Sequence, residues 1–294
     1  MSDILVTGGS GQLGTELRAL SWPDGIRVLA PARDALDLSD PSSVERWLAA
    51  NTVAAIVNAG AYTAVDKAES DAKTAWLVNA VAPAILAAHA RSAGVPIIHV
   101  STDYVFGGDK STPYVEDDPV APLGVYGASK EGGEQAVRTS GARHAIVRTS
   151  WVVSPHGANF IKTMLRLGRE RPALRVVDDQ RGAPTAAFDL ARAAQTILMR
   201  LIADPSAPGG TYHFSNSGET SWFGFAQHIF DSAAQAGGPN PSLSPITTAD
   251  YPTPARRPAN SRLDLSKIRR DFGIAPPDWR PATEAIVRRL LGAE

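Results

Sequence analysis

The stretch "VYGASKEGGEQAV" (125–137) sets Tyr126 four residues before Lys130. Four residues is about one helical turn, so both side chains leave one face of a helix. Neither adds to an apolar stripe. One reading is a surface turn with a solvated lysine; the other is a proton-transfer pair. A tyrosine with its free pKa of about 10 is a sluggish proton-transfer partner near neutrality, and moving that pKa to 7 takes about 4 kcal/mol. One ammonium at about 4 Å supplies that much at an effective dielectric near 20. Lys130 is placed for the task. Tyr-x-x-x-Lys alone is a weak pattern, so the surrounding chain must decide.

A second group of residues gives the pair a context. "ILVTGGSGQLGTEL" (4–17) puts Gly8, Gly9, Gly11 and Gly14 between an apolar run and a helical spacing. Glycines there allow a tight turn and close backbone approach to a pyrophosphate, and the helix N-terminus offers N–H donors. Between a strand and a helix that open a βαβ unit, the pattern is a strong dinucleotide signal. No Gly-Lys-Ser/Thr follows, so a P-loop is not supported. Beyond the second strand, "VLAPARDALDLSD" offers Arg33 for a 2′-phosphate, which favours NADPH; Asp34 could instead hold a ribose hydroxyl, so NADH stays open. A nicotinamide delivers hydride to a carbonyl carbon, and the oxygen then needs a proton. Tyr126 would give it, with Lys130 lowering its pKa and binding the nicotinamide ribose. Thr102, in "HVSTDYVF", closes a strand on the side where such sheets bind ligands, and its hydroxyl could reach the same oxygen.

These residues need a scaffold that gathers strand ends. Short apolar runs without period-2 alternation, "ILV", "IRVLA", "VAAIVNAG", "PIIHVSTDYVF" and "HAIVRTSWVV", alternate with helical stretches. That predicts a doubly wound parallel (Rossmann) sheet covered on both faces, in an α/β fold. "AWLVNAVAPAILAAHARSAG" is expected to be one helix ending at Gly94. The rhythm changes near residue 150. We expect an NAD(P)-binding domain over 1–150 and a smaller substrate-binding lobe over 151–294, with segments near 183–216 returning to the first. "GGPNPSLSPITTADYPTPARRPANSRLD" (237–264) is expected to be an ordered loop region.

Composition narrows the classes. The chain has 294 residues, a net charge of −1 and no cysteine. Bulk attraction to nucleic acid or membrane is not expected, and thiolate catalysis, disulfides and Cys-ligated metals are excluded. No signal peptide or membrane span is read, so a cytoplasmic protein is expected.

The ordered set "TGGSGQLG", "DLSD", "VNAGAYTAVDKAE", "STDYVF", "VYGASK", "RTSWV", "DDQRGAPT" and "RPANSRLD" spans nearly the whole chain. It resembles the dTDP-4-dehydrorhamnose reductase family of extended short-chain dehydrogenase/reductases. The resemblance implies reduction of the C4 ketone of a dTDP-sugar. It implies Tyr126 as general acid, Lys130 as activator and ribose ligand, and Thr102 as the orienting hydroxyl. It places Gly8, Gly11, Gln12, Leu13 and Gly14 at the cofactor phosphates and Asp37 and Leu38 beside the adenine. Gly60, Ala61, Tyr62 and Thr63 would approach the cofactor from the third strand. Asp103 and Trp151 resemble sugar-nucleotide contacts; Arg257 is expected at the substrate, and one or more of Arg256, Arg257 and Arg262 could grip its diphosphate, which of them being left open. Some members bridge a homodimer through Mg²⁺. Glu16 and Asp189 remain, but Phe188 stands where a ligand is expected, so no metal is assigned and a homodimer is left open. Two other readings share the pattern: an epimerase or reductase for another 4-keto-6-deoxy sugar nucleotide, and a non-catalytic subunit resembling the regulatory subunit of methionine adenosyltransferase.

Overall fold

The computed structural model describes residues 2–293. In chain order the strands are β1 (Ser2–Thr7), β2 (Ile26–Leu29), β3 (Ala55–Asn58), β4 (Ile97–Thr102), β5 (His144–Thr149), β6 (Val152–Val153), β7 (Ala173–Val177), β8 (Arg181–Gly182), β9 (Thr185–Ala186), β10 (Gly210–His213), β11 (Thr220–Ser221) and β12 (Ser242–Ile246). The helices are α1 (Gln12–Ala19), α2 (Pro41–Ala50), α3 (Val65–Ala68), α4 (Ala72–Trp76), α5 (Ala82–Ala93), α6 (Val125–Thr139), α7 (Phe160–Glu170), α8 (Ala187–Ala203), α9 (Trp222–Gln235), α10 (Ser266–Phe272) and α11 (Trp279–Leu291).

Six strands make one parallel sheet, ordered β10-β5-β4-β3-β1-β2. Strands buried on both faces explain the unbroken apolar runs. Ile4 and Val6 of β1 face Leu13 and Leu17 of α1 and Leu190, Ile197 and Leu198 of α8. Leu5, between them, faces Val44 and Leu48 of α2, Leu86 of α5 and Val137 of α6. Both α8 and β10, which follow residue 151, pack into this sheet unit. A separate core gathers Ile161 and Leu165 of α7, Phe225, Ile229 and Phe230 of α9, and Trp279 and Val287 of α11 against Leu174 and Val176 of β7.

The structure departs from the sequence reading in three places. The helix expected before Gly94 is broken by a π-turn at Leu77–Val81, and Gly94 then caps α5 with φ +70°. The strand through 144–153 is broken at Trp151, whose φ of +48° makes it the one non-glycine residue with positive φ among the described residues. The Pro-rich segment contains β12, which pairs with β7 alone. An edge strand tolerates Pro245, because its missing N–H faces no second partner.

Helix α6 buries a polar stripe. Tyr126, Lys130, Glu134 and Arg138 recur every four residues on one face. Glu134 is fully buried and accepts from Arg148 of β5, Nε to Oε1 at 2.9 Å and Nη2 to Oε2 at 2.8 Å, and from Arg138 Nη1 at 2.7 Å. Removing one member of a buried ion pair strands the other charge. Arg148→Met should therefore lower unfolding free energy by about 3–5 kcal/mol, read from urea midpoints. A midpoint equal to wild type would show that Arg138 alone neutralises Glu134.

Candidate active site

Tyr126 lies in the first turn of α6, whose leading N–H, on Val125, donates to Glu69 Oε1 at 2.9 Å. The next residue must be small: a Cβ on Gly127 would sit 2.1 Å from the Tyr104 carbonyl oxygen. The helix start is thus pressed onto the turn that follows β4, which brings Tyr126 to Thr102. The Tyr104 ring meets the Tyr126 ring edge-on at 5.5 Å. Thr102 Oγ1 accepts from the Tyr104 N–H at 3.2 Å and donates to Asp103 Oδ1 at 2.9 Å. Asp103 is buried, and its Oδ2 finds no hydrogen-bond partner among the described residues. Burial pushes this carboxyl up to about 6, against the pull of the Ser261 and Thr102 hydroxyls. It is therefore largely ionised at neutral pH and offers an acceptor to a ligand hydroxyl.

The electrostatics reverse one expectation. Burial pushes the Tyr126 phenol up to about 12, the Thr102 contact draws it part of the way back, and the Asp103 charge adds to the rise. Lys130 does not bring the phenol toward neutrality. Its Nζ donates instead to the Val100 carbonyl at 2.6 Å. Burial also lowers the Lys130 ammonium to about 8, opposed by the Glu134 charge. Desolvation disfavours the charged form of each group, so the tyrosine is held as a protonated donor.

The cofactor residues divide by what they present. Gly8 has φ +67°, and a Cβ on Gly14 would lie 2.1 Å from the Gly8 carbonyl oxygen. The loop therefore folds tightly onto α1, and no side chain fills the space before the helix N–H groups. That cradle fits a pyrophosphate. It lies at the switch point where β2 and β3 flank β1 on opposite sides. Leu13 is buried in the sheet core. The Gln12 side chain points elsewhere, donating to the Val152 carbonyl at 3.3 Å and accepting from Asn159 Nδ2 at 2.9 Å. Only the backbones of these two residues face the loop.

Past β3, the Gly60 N–H donates to Thr7 Oγ1 at 3.0 Å, and Leu38 packs against Gly60. Ala61, Tyr62 and Thr63 continue that segment. The Tyr62 hydroxyl donates to Asp71 at 3.1 Å, so the ring is held away from a free role. Beyond β2, Arg33 is exposed with Nε 3.5 Å from Asp37 Oδ2. Hydrogen bonds from Ser39 hold the Asp37 carboxyl below its usual range. Asp34 caps the Ala35 N–H at 2.9 Å.

The substrate residues are rearranged relative to expectation. Trp151 stacks on Trp222 at 3.7 Å and 16°, and Phe160 lies 4.6 Å from Trp222. Trp222 and Phe160 form a wall of a cleft of about 600 Å³, also lined by Arg175, Gln180, Tyr251 and Arg257. One indole face of Trp151 is thus already covered. Arg257 is already paired too, Nη1 and Nη2 donating to the Asp66 carboxylate at 3.0 and 2.7 Å. A bidentate grip on a diphosphate would require it to leave Asp66. Arg262 is tied to Glu219 at 2.9 Å and to the Ser111 carbonyl. Arg175, which sequence reasoning passed over, lines the cleft alongside Arg257. Arg257 also bears electrostatically on Tyr104, so the cleft adjoins the Tyr126 cluster.

The Glu16 region holds two carboxylates beside Phe188. Glu16, Phe188 and Asp189 line a hollow of about 450 Å³. Asp189 accepts from Asn216 at 2.7 Å, and the Arg192 guanidinium sits 5.5 Å over the Phe188 ring. No cluster of three metal-ligating side chains occurs among the described residues.

Asn79 is the residue that sequence reasoning missed most clearly. The π-turn aims its amide at both halves of the site: Oδ1 accepts from the Tyr62 N–H at 2.8 Å, and Nδ2 donates to Ser129 Oγ at 3.0 Å. Only a break in helical spacing at "LVNAV" could have marked it.

The Lys130 shift makes stability depend on pH. Its folded pKa lies near 8 against an ordinary 10.5. Between these values the unfolded chain holds a proton that the folded chain has lost, so stability rises with pH. The stability of wild type minus that of Lys130→Met should climb by roughly 3 kcal/mol from pH 7.5 to 10.5. A pH-independent difference would place the ammonium in contact with solvent.

Comparison with known proteins agrees with this geometry. The family model described as RmlD substrate binding domain matches residues 1–291. The chain is 45% identical to dTDP-4-dehydrorhamnose reductase of Sinorhizobium fredii, over 98% of this chain and 97% of that one. It is 41% identical to the Escherichia coli K12 enzyme of the same name, over 98% of each. A solved Bacillus anthracis dTDP-4-dehydrorhamnose reductase, in complex with NADP, superposes with a TM-score of 0.90 at 34% identity, covering 98% of this chain and 100% of that one. The fold, the glycine loop and the Thr102–Tyr126–Lys130 cluster thus sit within a full-length match, and the chain belongs to the dTDP-4-dehydrorhamnose reductase family.

Proposed function

We propose that this chain reduces the C4 ketone of dTDP-4-dehydro-L-rhamnose to dTDP-L-rhamnose with NADPH. The observation that carries the reading is the placement of the Tyr126 side chain against Thr102 at the end of β4, one turn before Lys130. A ketone reduction needs a proton donor there, not a base. The sheet unit would hold the dinucleotide and the unit built on α7, α9 and α11 the sugar nucleotide. The related B. anthracis structure contains NADP, and exposed Arg33 beyond β2 supports the phosphorylated cofactor.

When bound at the switch point, a reduced nicotinamide supplies hydride to the carbonyl carbon. Tyr126 gives its phenolic proton to the oxygen as negative charge develops there. Thr102, by turning its hydroxyl from Asp103 Oδ1, donates to the same oxygen and keeps it in line. Lys130 would stabilise the phenolate left behind once its Nζ turns from the Val100 carbonyl toward the phenol, because an ammonium favours an anion beside it. Asp103, with its unpartnered Oδ2, orients a sugar hydroxyl. Arg175 faces the diphosphate from the cleft wall, and Trp222 with Phe160 offers aromatic surface to thymine or sugar.

Tyr126→Phe removes only the proton. Turnover with NADPH and dTDP-4-dehydrorhamnose should fall about 10²–10⁴-fold, the usual share of general acid catalysis. Cofactor affinity, read by protein fluorescence, should hold. Wild-type turnover in the folded variant would remove Tyr126 from the acid role.

A further inference from the structure

Gln12 occupies two places at once. Its backbone opens α1, directly after Gly11 of the phosphate loop. Its side chain crosses to a segment 140 residues away and ties down both ends of it. Nε2 donates to the Val152 carbonyl at 3.3 Å. Oε1 accepts from the Ser154 hydroxyl at 2.9 Å and from Asn159 Nδ2 at 2.9 Å. Asn159 is the N-cap of α7, accepting from the Lys162 N–H at 3.2 Å. Helix α7 supplies Phe160, Thr163, Met164 and Leu167 to the cleft. The bridged segment begins just after Trp151, with its positive φ, and turns at Gly157 (φ +62°), where a Cβ would stand 3.3 Å from Gln12 Cγ. One turn further along α1, Glu16 Oε1 lies 3.4 Å from His156 Nε2, a second tie to the same segment.

We infer that Gln12 is a positioning residue that couples occupancy of the phosphate loop to the shape of the substrate cleft. A phosphate on the first N–H groups of α1 fixes the Gln12 backbone. The amide then fixes Val152, Ser154 and the cap of α7, and α7 sets the cleft wall. Coupling of this kind is reciprocal: each ligand tightens the other by one factor. The inference rests on the functional reading above, with NADP⁺ and dTDP as the two ligands.

Calorimetry tests it without turnover. NADP⁺ is titrated into the protein alone and with saturating dTDP, then the order is reversed. Wild type should show equal mutual tightening of about fivefold or more. Ser154→Ala touches neither ligand and removes one leg of the latch; Gln12→Met removes all three. The factor should fall in Ser154→Ala and approach one in Gln12→Met, while dTDP alone binds each variant within about twofold of wild type. Full wild-type coupling in Ser154→Ala, or none in wild type, overturns the inference. If either ligand fails to bind wild type by itself, the functional reading falls, and this inference with it.

Discussion

A helix that buries charge must find a partner for each charged group, and α6 buries Lys130 and Glu134 on a face that half-buried Tyr126 and Arg138 extend at i,i+4 spacing. Its neighbours are selected by that need. Val100 of β4 gives its carbonyl to Lys130, Arg148 of β5 gives its guanidinium to Glu134, and Thr102 at the end of β4 meets Tyr126. An unpaired buried charge would cost several kcal/mol, so the helix cannot slide or rotate without loss. Strand ends and helix start are locked in one register. The reacting phenol inherits that register, which is the positional accuracy that proton transfer requires.

The same burial decides the chemistry. A rise of the phenol from 10.0 to about 12 corresponds to roughly 3 kcal/mol against the anion. The ammonium is similarly disfavoured by its own burial, despite Glu134. Burial thus favours a neutral phenol at Tyr126 and weakens the cation at Lys130 in the ligand-free chain. An activated phenolate would suit the reverse direction, in which an alcohol loses a proton. A retained proton suits reduction. The remaining polar atoms follow this pattern: Asp103 keeps a free acceptor in the site, and the Arg257–Asp66 pair closes the cleft near Tyr104 with its charge already neutralised.

Sequence patterns carried the sheet and pointed to the residues gathered in the candidate site. The glycine loop, Thr102, Tyr126 and Lys130 were legible because local spacing and strand order determine them. What escaped depends on long-range packing. Gln12 was read as a residue at the cofactor phosphates, and the partners of its side chain, 140 and more residues away, escaped notice. Trp151 was legible as an aromatic near the cleft, not as one whose face is taken by Trp222, since α9 carries no signal of where it docks. Arg257 was read as a free cation because Asp66 lies far off in the chain. The upward pull of burial on Tyr126 was not legible for a related reason: spacing reveals a nearby ammonium, whereas burial emerges only from the assembled fold.

The central claim is that burial, rather than Lys130, governs the Tyr126 phenol before ligands bind. The chain has 6 tyrosines, so the ¹³Cζ resonances of ring-labelled protein are few, and Tyr126→Phe assigns the relevant one. Titrating the ligand-free protein through the alkaline range follows that resonance directly. The account expects Tyr126 to remain a neutral phenol past the pH at which an ordinary tyrosine, near 10, has ionised. A phenolate shift at Tyr126 between pH 7 and 8 would contradict it and return control of the proton to the lysine.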